Sequence, residues 1–402
     1  MPRHVHTVAV QHVAPPAELT QNDVDVHVDA DTDSRRMAQA LKLAQHAIGS
    51  SDPNPRVGCV VADATGMLLA EGWTQAAGGH HAEAMALRQA QAAGRSVVGA
   101  TAWVTLEPCA HFGRTPPCCD ALIAAGIARV VVAMGDPNPR VGGQGLARLR
   151  AAGVQVDVLN GALADQAAAL NIGFLSRMIR GRPWVRMKLA ASMDGRTALP
   201  DGQSQWITSP EARADGHVWR KRAGAILTGI GTVLADDPRL DVRLEPTTLQ
   251  PLKVILDSRL RLPASARLLA SPGSALVVTG GSADRRNSAV LENMGVELVS
   301  MPDAAGRVDL HRLMAELAAR QINEVHVEAG ATLNGELLAA GLVDELLIYL
   351  APVLLGAGPG LAALPALNRL DAAVRYRMAH TAQVGPDLRV VLRTAGALDW
   401  LR

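Results

Sequence analysis

Four segments follow one another between residues 81 and 136: HAEAMALRQAQAAG (81–94), AWVTL (102–106), CCDALIAAG (118–126) and ARVVVAMGD (128–136). The first and third carry apolar residues at helical spacing and end on glycine, whereas the second and fourth are short runs rich in β-branched residues. Helices alternating with strands predict a layered α/β domain. Outward from this centre the alternation continues. VGCVVAD (57–63) and MLLAEGW (67–73) read as a hairpin turning at Gly66, GLARLRAAG (145–153) as a helix and VQVDVL (154–159) as a strand. Upstream, Met37, Ala40, Leu41, Ala44 and Ile48 repeat at helical spacing behind Ser34 as candidate cap, and Gly49 stops the run. Residues 1–33 carry Pro15, Pro16 and acids at 23, 25, 29, 31 and 33, and read as a flexible N-terminal extension. Like-charge repulsion there outweighs the strand-like alternation of Val24, Val26 and Val28.

Arg180-Gly181-Arg182-Pro183 punctuates the chain, and a second alternation of strand-like and helical segments runs from Trp184 to about residue 394. Two domains are therefore expected in the 402 residues, 34–179 and 183–402. Lys plus Arg number 39 against 38 Asp plus Glu, which removes the global positive field of a non-specific nucleic-acid or membrane-surface binder and leaves small molecules as the expected ligands. The N-terminus lacks the apolar core of a signal peptide, and no apolar run approaches the ~18 residues of a membrane span. Four cysteines are too few for a disulfide scaffold. The expected compartment is the cytoplasm, with the thiols reduced and available as ligands. The sequence is compatible with a homo-oligomer.

His81-Ala82-Glu83, then Pro108-Cys109, then Cys118 form the sharpest chemical signal. One histidine and two cysteines are a catalytic zinc set that leaves the fourth position to water. Glu83, two residues beyond His81 in the first helical turn, reaches the same cavity and is the expected proton carrier. Cys118 opens a helix, where the positive dipole end favours thiolate. The zinc nucleobase deaminases close this signature with Cys-x-x-Cys, whereas eight residues separate Cys109 from Cys118, so the residues leave Cys119 as a rival to Cys118. Cys59 reads as a core thiol, and His80 and His111 are weaker rivals. The heptapeptide DPNPRVG occurs at 52–58 and again at 136–142, each copy a rigid turn at the end of a strand-like run. The copies are either two unrelated turns or two walls of one pocket.

VTLEPCAHFGRTPPCCDAL, DPNPRVG, KLAASMDGRTA, SQWITS, TVLADDPRLDVR, LDS and VEAGATLNGELL, taken together, resemble the bifunctional riboflavin-biosynthesis deaminase/reductases, from about residue 35 to about 392. The long loop between the cysteines is normal in that family. The resemblance implies a cytidine-deaminase-like three-layer domain followed by a dihydrofolate-reductase-like domain. It implies removal of a ring amino group from a diamino-pyrimidinone carrying a ribosylamino phosphate, then NADPH-dependent reduction of the ribosyl to a ribityl side chain. His81, Cys109 and Cys118 would hold Zn2+, Glu83 would shuttle protons, and the turn Pro53-Asn54-Pro55 would face the substrate. In the second half, Gly330, Ala331, Thr332, Leu333, Asn334, Gly335 and Glu336 would cradle the dinucleotide, helped by Ala190, Trp206, Thr232, Asp236 and Ser258. Ser204, Arg220, Leu240, Arg243 and Glu328 would hold the substrate.

From the residues alone, the second half is less informative. Gly229-Ile230-Gly231 lacks the third glycine of a Rossmann fingerprint. EVHVEAG followed by ATLNGELLAAG is a strand, a glycine turn and a helix start, an arrangement whose free N–H groups suit phosphate. Lys188, Asp236 and Glu328 are candidate proton donors to the imine nitrogen. Two rival readings stand beside the main one. A nucleic-acid-editing deaminase with a non-catalytic binding module is opposed by the net charge of +1 and by the small number of aromatic residues, six Trp, two Tyr and two Phe. A protein with one dead half is opposed, for the first half, by the intact zinc set.

Overall fold

A computed structural model of the chain describes residues 24–111, 116–136, 138, 141–247, 249–281 and 285–401. Residues 1–23, most of the expected extension, lie outside the described residues. The first domain is built on β1 (Gly58–Ala62), β2 (Leu68–Trp73), β3 (Thr101–Val104), β4 (Arg129–Val132) and β5 (Gln155–Val158), in spatial order β2-β1-β3-β4-β5. β1 runs antiparallel to both its neighbours, and β3, β4 and β5 are parallel. Around it lie α1 (Val24–Gln45), α2 (Ala82–Ala92), α3 (Cys118–Ala124), α4 (Gln144–Ala151), α5 (Ala162–Leu170) and α6 (Ile172–Arg180). Cys59 and Val61 face a core closed by Ala82, Ala86, Cys119, Leu122 and Leu149, while Val60 and Ala62 face Met37, Ala40, Leu41 and Ala167. All five residues of β1 are therefore buried, as a strand covered by helices on both faces requires. Gly58 permits the closeness of this packing, because a Cβ there would sit 1.9 Å from the Ala40 carbonyl oxygen of α1.

The acidic stretch departs from its expectation. α1 starts at Val24, ten residues before Ser34, so residues 24–33 are helical rather than part of a flexible arm, and Ser34 lies inside the helix instead of capping it. Asp33 finds partners that the local sequence does not show. Asp33 accepts from Trp103 Nε1 at 2.8 Å and is paired with Arg129 at 2.7 Å, and Asp31 pairs with Arg35.

Among the described residues the second domain has nine strands: β6 (Trp184–Ser192), β7 (Ala225–Gly229), β8 (Leu252–Leu256), β9 (Ala275–Thr279), β10 (Glu297–Ser300), β11 (Glu324–Val327), β12 (Glu345–Ala351), β13 (Tyr376–Val384) and β14 (Asp387–Thr394). Their order is β10-β9-β8-β7-β11-β6-β12-β14-β13, parallel from β10 to β12 and antiparallel at the β12-β14-β13 edge. Its helices are α7 (Pro210–Arg222), α8 (Ile230–Asp236), α9 (Arg267–Ala270), α10 (Arg285–Asn293), α11 (Leu310–Ala319) and α12 (Ala331–Ala339). Among the described residues no helix is long and apolar enough to cross a membrane.

The period-two rule gives the sheet two unlike faces. Val185, Met187, Leu189, Val325, Val327, Leu346 and Ile348 enter the main core. The alternate positions of the same strands present Arg186, Lys188 and Ala190 from β6, Glu324 and His326 from β11 with Glu328 just beyond it, and Glu345 and Tyr349 from β12. A charged row thus runs along the face that α7 covers.

At one end of this row the domains meet. Glu324, 1% exposed, receives Arg56 at 2.7 Å, Arg186 at 2.8 Å and Arg222 at 3.0 Å. Asn323 donates to Asp52 at 2.7 Å and to the Pro53 carbonyl at 3.1 Å, and Arg177 joins Asn323 to the same carbonyl. The first DPNPRVG copy is therefore the seam between the domains. The second copy does different work. Buried Glu107 accepts from the backbone N–H groups of Asp136, Gly143, Gly145 and Leu146, which wraps that loop around one carboxylate.

Candidate functional site

In the first domain the chemistry gathers where two helices start. His81 is the N-cap of α2, yet its ring makes no capping hydrogen bond because it turns towards the cysteines. Cys118 opens α3 after Pro116-Pro117, and its backbone N–H donates to Cys109 Sγ at 3.3 Å. His81 Nδ1 lies 3.4 Å from Cys118 Sγ and 3.7 Å from Cys109 Sγ. A tetrahedral zinc with bonds of ~2.0 Å to nitrogen and ~2.3 Å to sulfur separates its nitrogen and sulfur ligands by about 3.5 Å. The three donor atoms, all within 4.8 Å of one another, thus already have the spacing of a tetrahedral face.

Two thiols this close share one proton. Hydrogen bonds from Cys118 and His81 hold Cys109 well below the ordinary thiol range, and the same contact pushes Cys118 up. The Cys109 contact raises His81. Glu83, 4% exposed, lies within reach of the Cys118 thiol, and burial with the nearby Cys109 charge pushes its carboxyl up to about 7. The rival residues are placed elsewhere. Cys59 is buried within β1, Cys119 packs into the core beside Leu122, His111 is exposed, and the His80 carbonyl closes a turn with Gln75.

In the second domain, a cleft of about 650 Å³ is lined by Thr232, Ser258, Gly330, Ala331, Thr332, Leu333 and Glu336 among the expected cofactor residues. It lies at the N-terminal end of α12, whose cap residue Gly330 leaves the first N–H groups without a side-chain partner. This is a fitting cradle for the diphosphate of a dinucleotide. Arg259, Arg261 and Arg307 also line it and were not singled out from sequence, although the first two follow the LDS motif directly. Asn334 and Gly335 face inwards. Asn334 donates to the Ala329 and Leu361 carbonyls, and a Cβ on Gly335 would lie 2.1 Å from the Ala363 carbonyl oxygen. Their place in the motif reflects helix packing. Trp206 is exposed with Arg213 stacked over it at 4.4 Å, Asp236 is exposed on the last turn of α8, and Ala190 and Ser204 are half-buried.

Further along the charged row, Arg220 of α7 pairs with Glu328 and donates to the Asp241 carbonyl at 2.9 Å, and Arg243 pairs with Asp241 at 2.6 Å. Lys188 lies beside Glu328 with its charge 5.9 Å from the centre of the Tyr349 ring, and it makes no salt bridge or hydrogen bond among the described residues. Burial lowers its ammonium. Burial also holds His326 down to about 3 and His217 to about 4, so both rings are neutral near pH 7. Leu240 departs from its expected role through its side chain, which is 2% exposed and packs in the core with Ile226 and Ile255. Its backbone, at φ +52°, turns the chain so that Asp241 and Arg243 reach the site.

Comparisons with known proteins match both halves. Residues 30–134 match the cytidine and deoxycytidylate deaminase zinc-binding region, and residues 183–390 match the RibD C-terminal domain. The chain is 47% identical over 378 residues to the riboflavin biosynthesis protein RibD of Escherichia coli K12, covering 91% of this chain and all of that protein. It is 37% identical to the RibD of Aquifex aeolicus, covering 90% of this chain and 98% of that one. Among solved structures, Acinetobacter baumannii RibD superposes with a TM-score of 0.81 at 42% identity, covering 91% of this chain and 99% of that one. A diaminohydroxyphosphoribosylaminopyrimidine deaminase/5-amino-6-(5-phosphoribosylamino)uracil reductase from Thermotoga maritima gives 0.81 at 31% identity, covering 91% and 100%.

Proposed function

This chain belongs to the RibD family of riboflavin-biosynthesis proteins, and from that premise we propose which residues carry its two reactions. It is a bifunctional enzyme of riboflavin biosynthesis, with a zinc-dependent deaminase ahead of an NADPH-using, dihydrofolate-reductase-like domain. The proposed division keeps the boundary at about 180–183 and starts the first domain with α1 rather than at residue 34, and the proposed substrate of the first half is 2,5-diamino-6-ribosylamino-pyrimidinone 5'-phosphate. The reduced thiols that such a zinc set needs support a cytoplasmic setting.

In the deaminase half, His81 Nδ1 with the sulfurs of Cys109 and Cys118 would hold the zinc. Zinc bound there acidifies water at neutral pH. Glu83 is not one of the three donors, and its buried carboxyl beside them is placed to carry a proton in both directions. It takes a proton from the attacking water and delivers it to the leaving amine, which departs as ammonia. The observation that carries this reading is the set of three donor atoms within 4.8 Å beside a buried carboxyl.

In the reductase half, NADPH supplies the hydride. The first turn of α12 with Thr232 and Ser258 would hold it, with Ala190, Trp206 and Asp236 as further proposed contacts. Arg243 and Arg220 would bind the substrate phosphate and orient Glu328, the guanidinium fork matching phosphate oxygens. Of the three candidate donors, Lys188 is the strongest. It is half-buried, free of ion pairs among the described residues and lowered by desolvation, whereas Glu328 is held ionised by Arg220 and Asp236 stands at the surface.

The test is metal analysis of the whole protein coupled to an assay with the phosphoribosyl pyrimidine and NADPH. One zinc per chain, ammonia release and loss of NADPH absorbance are expected. Full ammonia release from protein stripped of zinc would overturn the assignment of the first site.

A further inference from the structure

A cavity of about 390 Å³ lies between the domains, apart from the residues assigned to either reaction. Gln45 of α1 and Gln166 of α5 form one wall, and β6, α7, β13 and β14 form the other, presenting Arg186, Arg222, Arg389 and Arg393. The charges around it do not balance. Arg56, Arg186 and Arg222 converge on Glu324, Arg186 and Arg393 share Glu345, Arg389 has Asp215, and Asp52 stands 3.4 Å from Arg56. Five guanidinium groups thus face four carboxylates. Burial, with repulsion from Arg56 and Arg186, holds Arg222 down to about 10, whereas the carboxylates beside Arg56 and Arg186 raise those two.

Donors are also left over. Arg393 spends only Nε on Glu345, at 2.9 Å. Arg389 gives one terminal nitrogen to Asp215, while its buried Nε has no partner among the described residues. Trp219 lies 4.6 Å from the Arg186 guanidinium and 5.7 Å from that of Arg389, measured to its ring centroid, which fixes both planes. Convergent, pre-oriented guanidinium donors with one positive charge in excess match a tetrahedral oxyanion.

We propose that this interdomain cavity binds a phosphate group, either inorganic phosphate or the phosphate monoester of a small metabolite, and that the bound anion ties the two domains together. The site is distinct from the proposed substrate clamp at Arg220 and Arg243.

The experiment is calorimetric titration of the full-length protein with inorganic phosphate. His380→Glu adds a negative charge at an exposed wall position without breaking an ion pair, Arg393→Gln removes a donor, and Arg243→Gln reports on the substrate clamp. With the substrate clamp disabled by Arg243→Gln, one saturable phosphate per chain is expected, weakened about tenfold or more when His380→Glu or Arg393→Gln is added. Ribose 5-phosphate, titrated into Arg243→Gln, separates the two sources: tighter binding than phosphate assigns the cavity to a monoester, equal or weaker binding to the free ion. Should Arg393→Gln fail to fold, His380→Glu decides alone. No saturable binding, or binding lost only in Arg243→Gln, overturns the proposal.

Discussion

Replacing Glu324 by glutamine tests how the two domains are held together. The carboxylate is 1% exposed and accepts from Arg56, Arg186 and Arg222 at 2.7, 2.8 and 3.0 Å. Although burial opposes its charge, the three guanidinium groups hold its pKa well below the usual carboxylate range. The glutamine amide keeps the shape and removes the charge, leaving three buried cations with only Glu345 and Asp52 to answer them. Breaking a buried ion pair by removing one partner costs about 3–5 kcal/mol. For a domain of this size that corresponds to a fall of roughly 6–20 °C in Tm. Arg56→Gln should cost less, because Glu324 then keeps Arg186 and Arg222. The assay is differential scanning calorimetry of wild type and both variants, with each transition fitted separately, since a two-domain chain need not unfold in one step. A Tm within about 2 °C of wild type for Glu324→Gln, or a larger loss for Arg56→Gln, would refute the claim that this carboxylate organises the seam.

Other consequences follow from single residues. His326 is neutral and fully buried, its pKa lowered from 6.5 to about 3, so the unfolded chain takes up a proton below pH 6.5 that the fold refuses. Its contribution is complete above pH 6.5 and is lost as pH falls towards 3, at up to about 1.4 kcal/mol per pH unit. His326→Gln should flatten the acid limb of a urea-stability profile, and an unchanged slope would contradict the assignment. Gly335→Ala places a methyl 2.1 Å from the Ala363 carbonyl oxygen, so it should lower Tm and raise the KM for NADPH by pushing α12 from its seat. Wild-type values for both would show that the backbone there yields freely. Lys188→Met should slow NADPH oxidation by about 100-fold or more, while Asp236→Asn keeps most of the rate. The reverse ranking in steady-state assays would move the proton donor to α8.

The parts of this molecule that sequence discloses are those where chemistry dictates residue type. His81 and Cys109 could be named as zinc-ligand candidates because few other residues ligate zinc, Glu83 because a proton carrier must stand beside them, and Cys118 over Cys119 with the help of the family resemblance. The alternation of β6 marked a strand, and the fingerprint at 330–336 marked a helix start. What stayed hidden depends on partners far away in the chain. Asp33 looked like part of a repelling acidic arm because Trp103 and Arg129, which hold it, lie 70 and 96 residues on. Arg56 looked like a turn residue because Glu324 is 268 residues away. Leu240, Asn334 and Gly335 sit in motifs to which the resemblance assigns ligand contacts, yet their side chains or Cβ positions pack against the protein interior. A linear motif does not separate a residue that faces the cleft from one that supports it.

The most direct test of two reactions housed separately in one chain is Glu83→Gln in the full-length protein, with zinc content, ammonia release and NADPH oxidation measured on one preparation. Zinc should remain at one per chain because His81, Cys109 and Cys118 are untouched. Ammonia release should fall by about 100- to 10,000-fold. NADPH oxidation should persist at the wild-type rate when the deaminated intermediate is added. Ammonia release at the wild-type rate, or loss of both reactions together in a folded, zinc-loaded protein, would contradict the account.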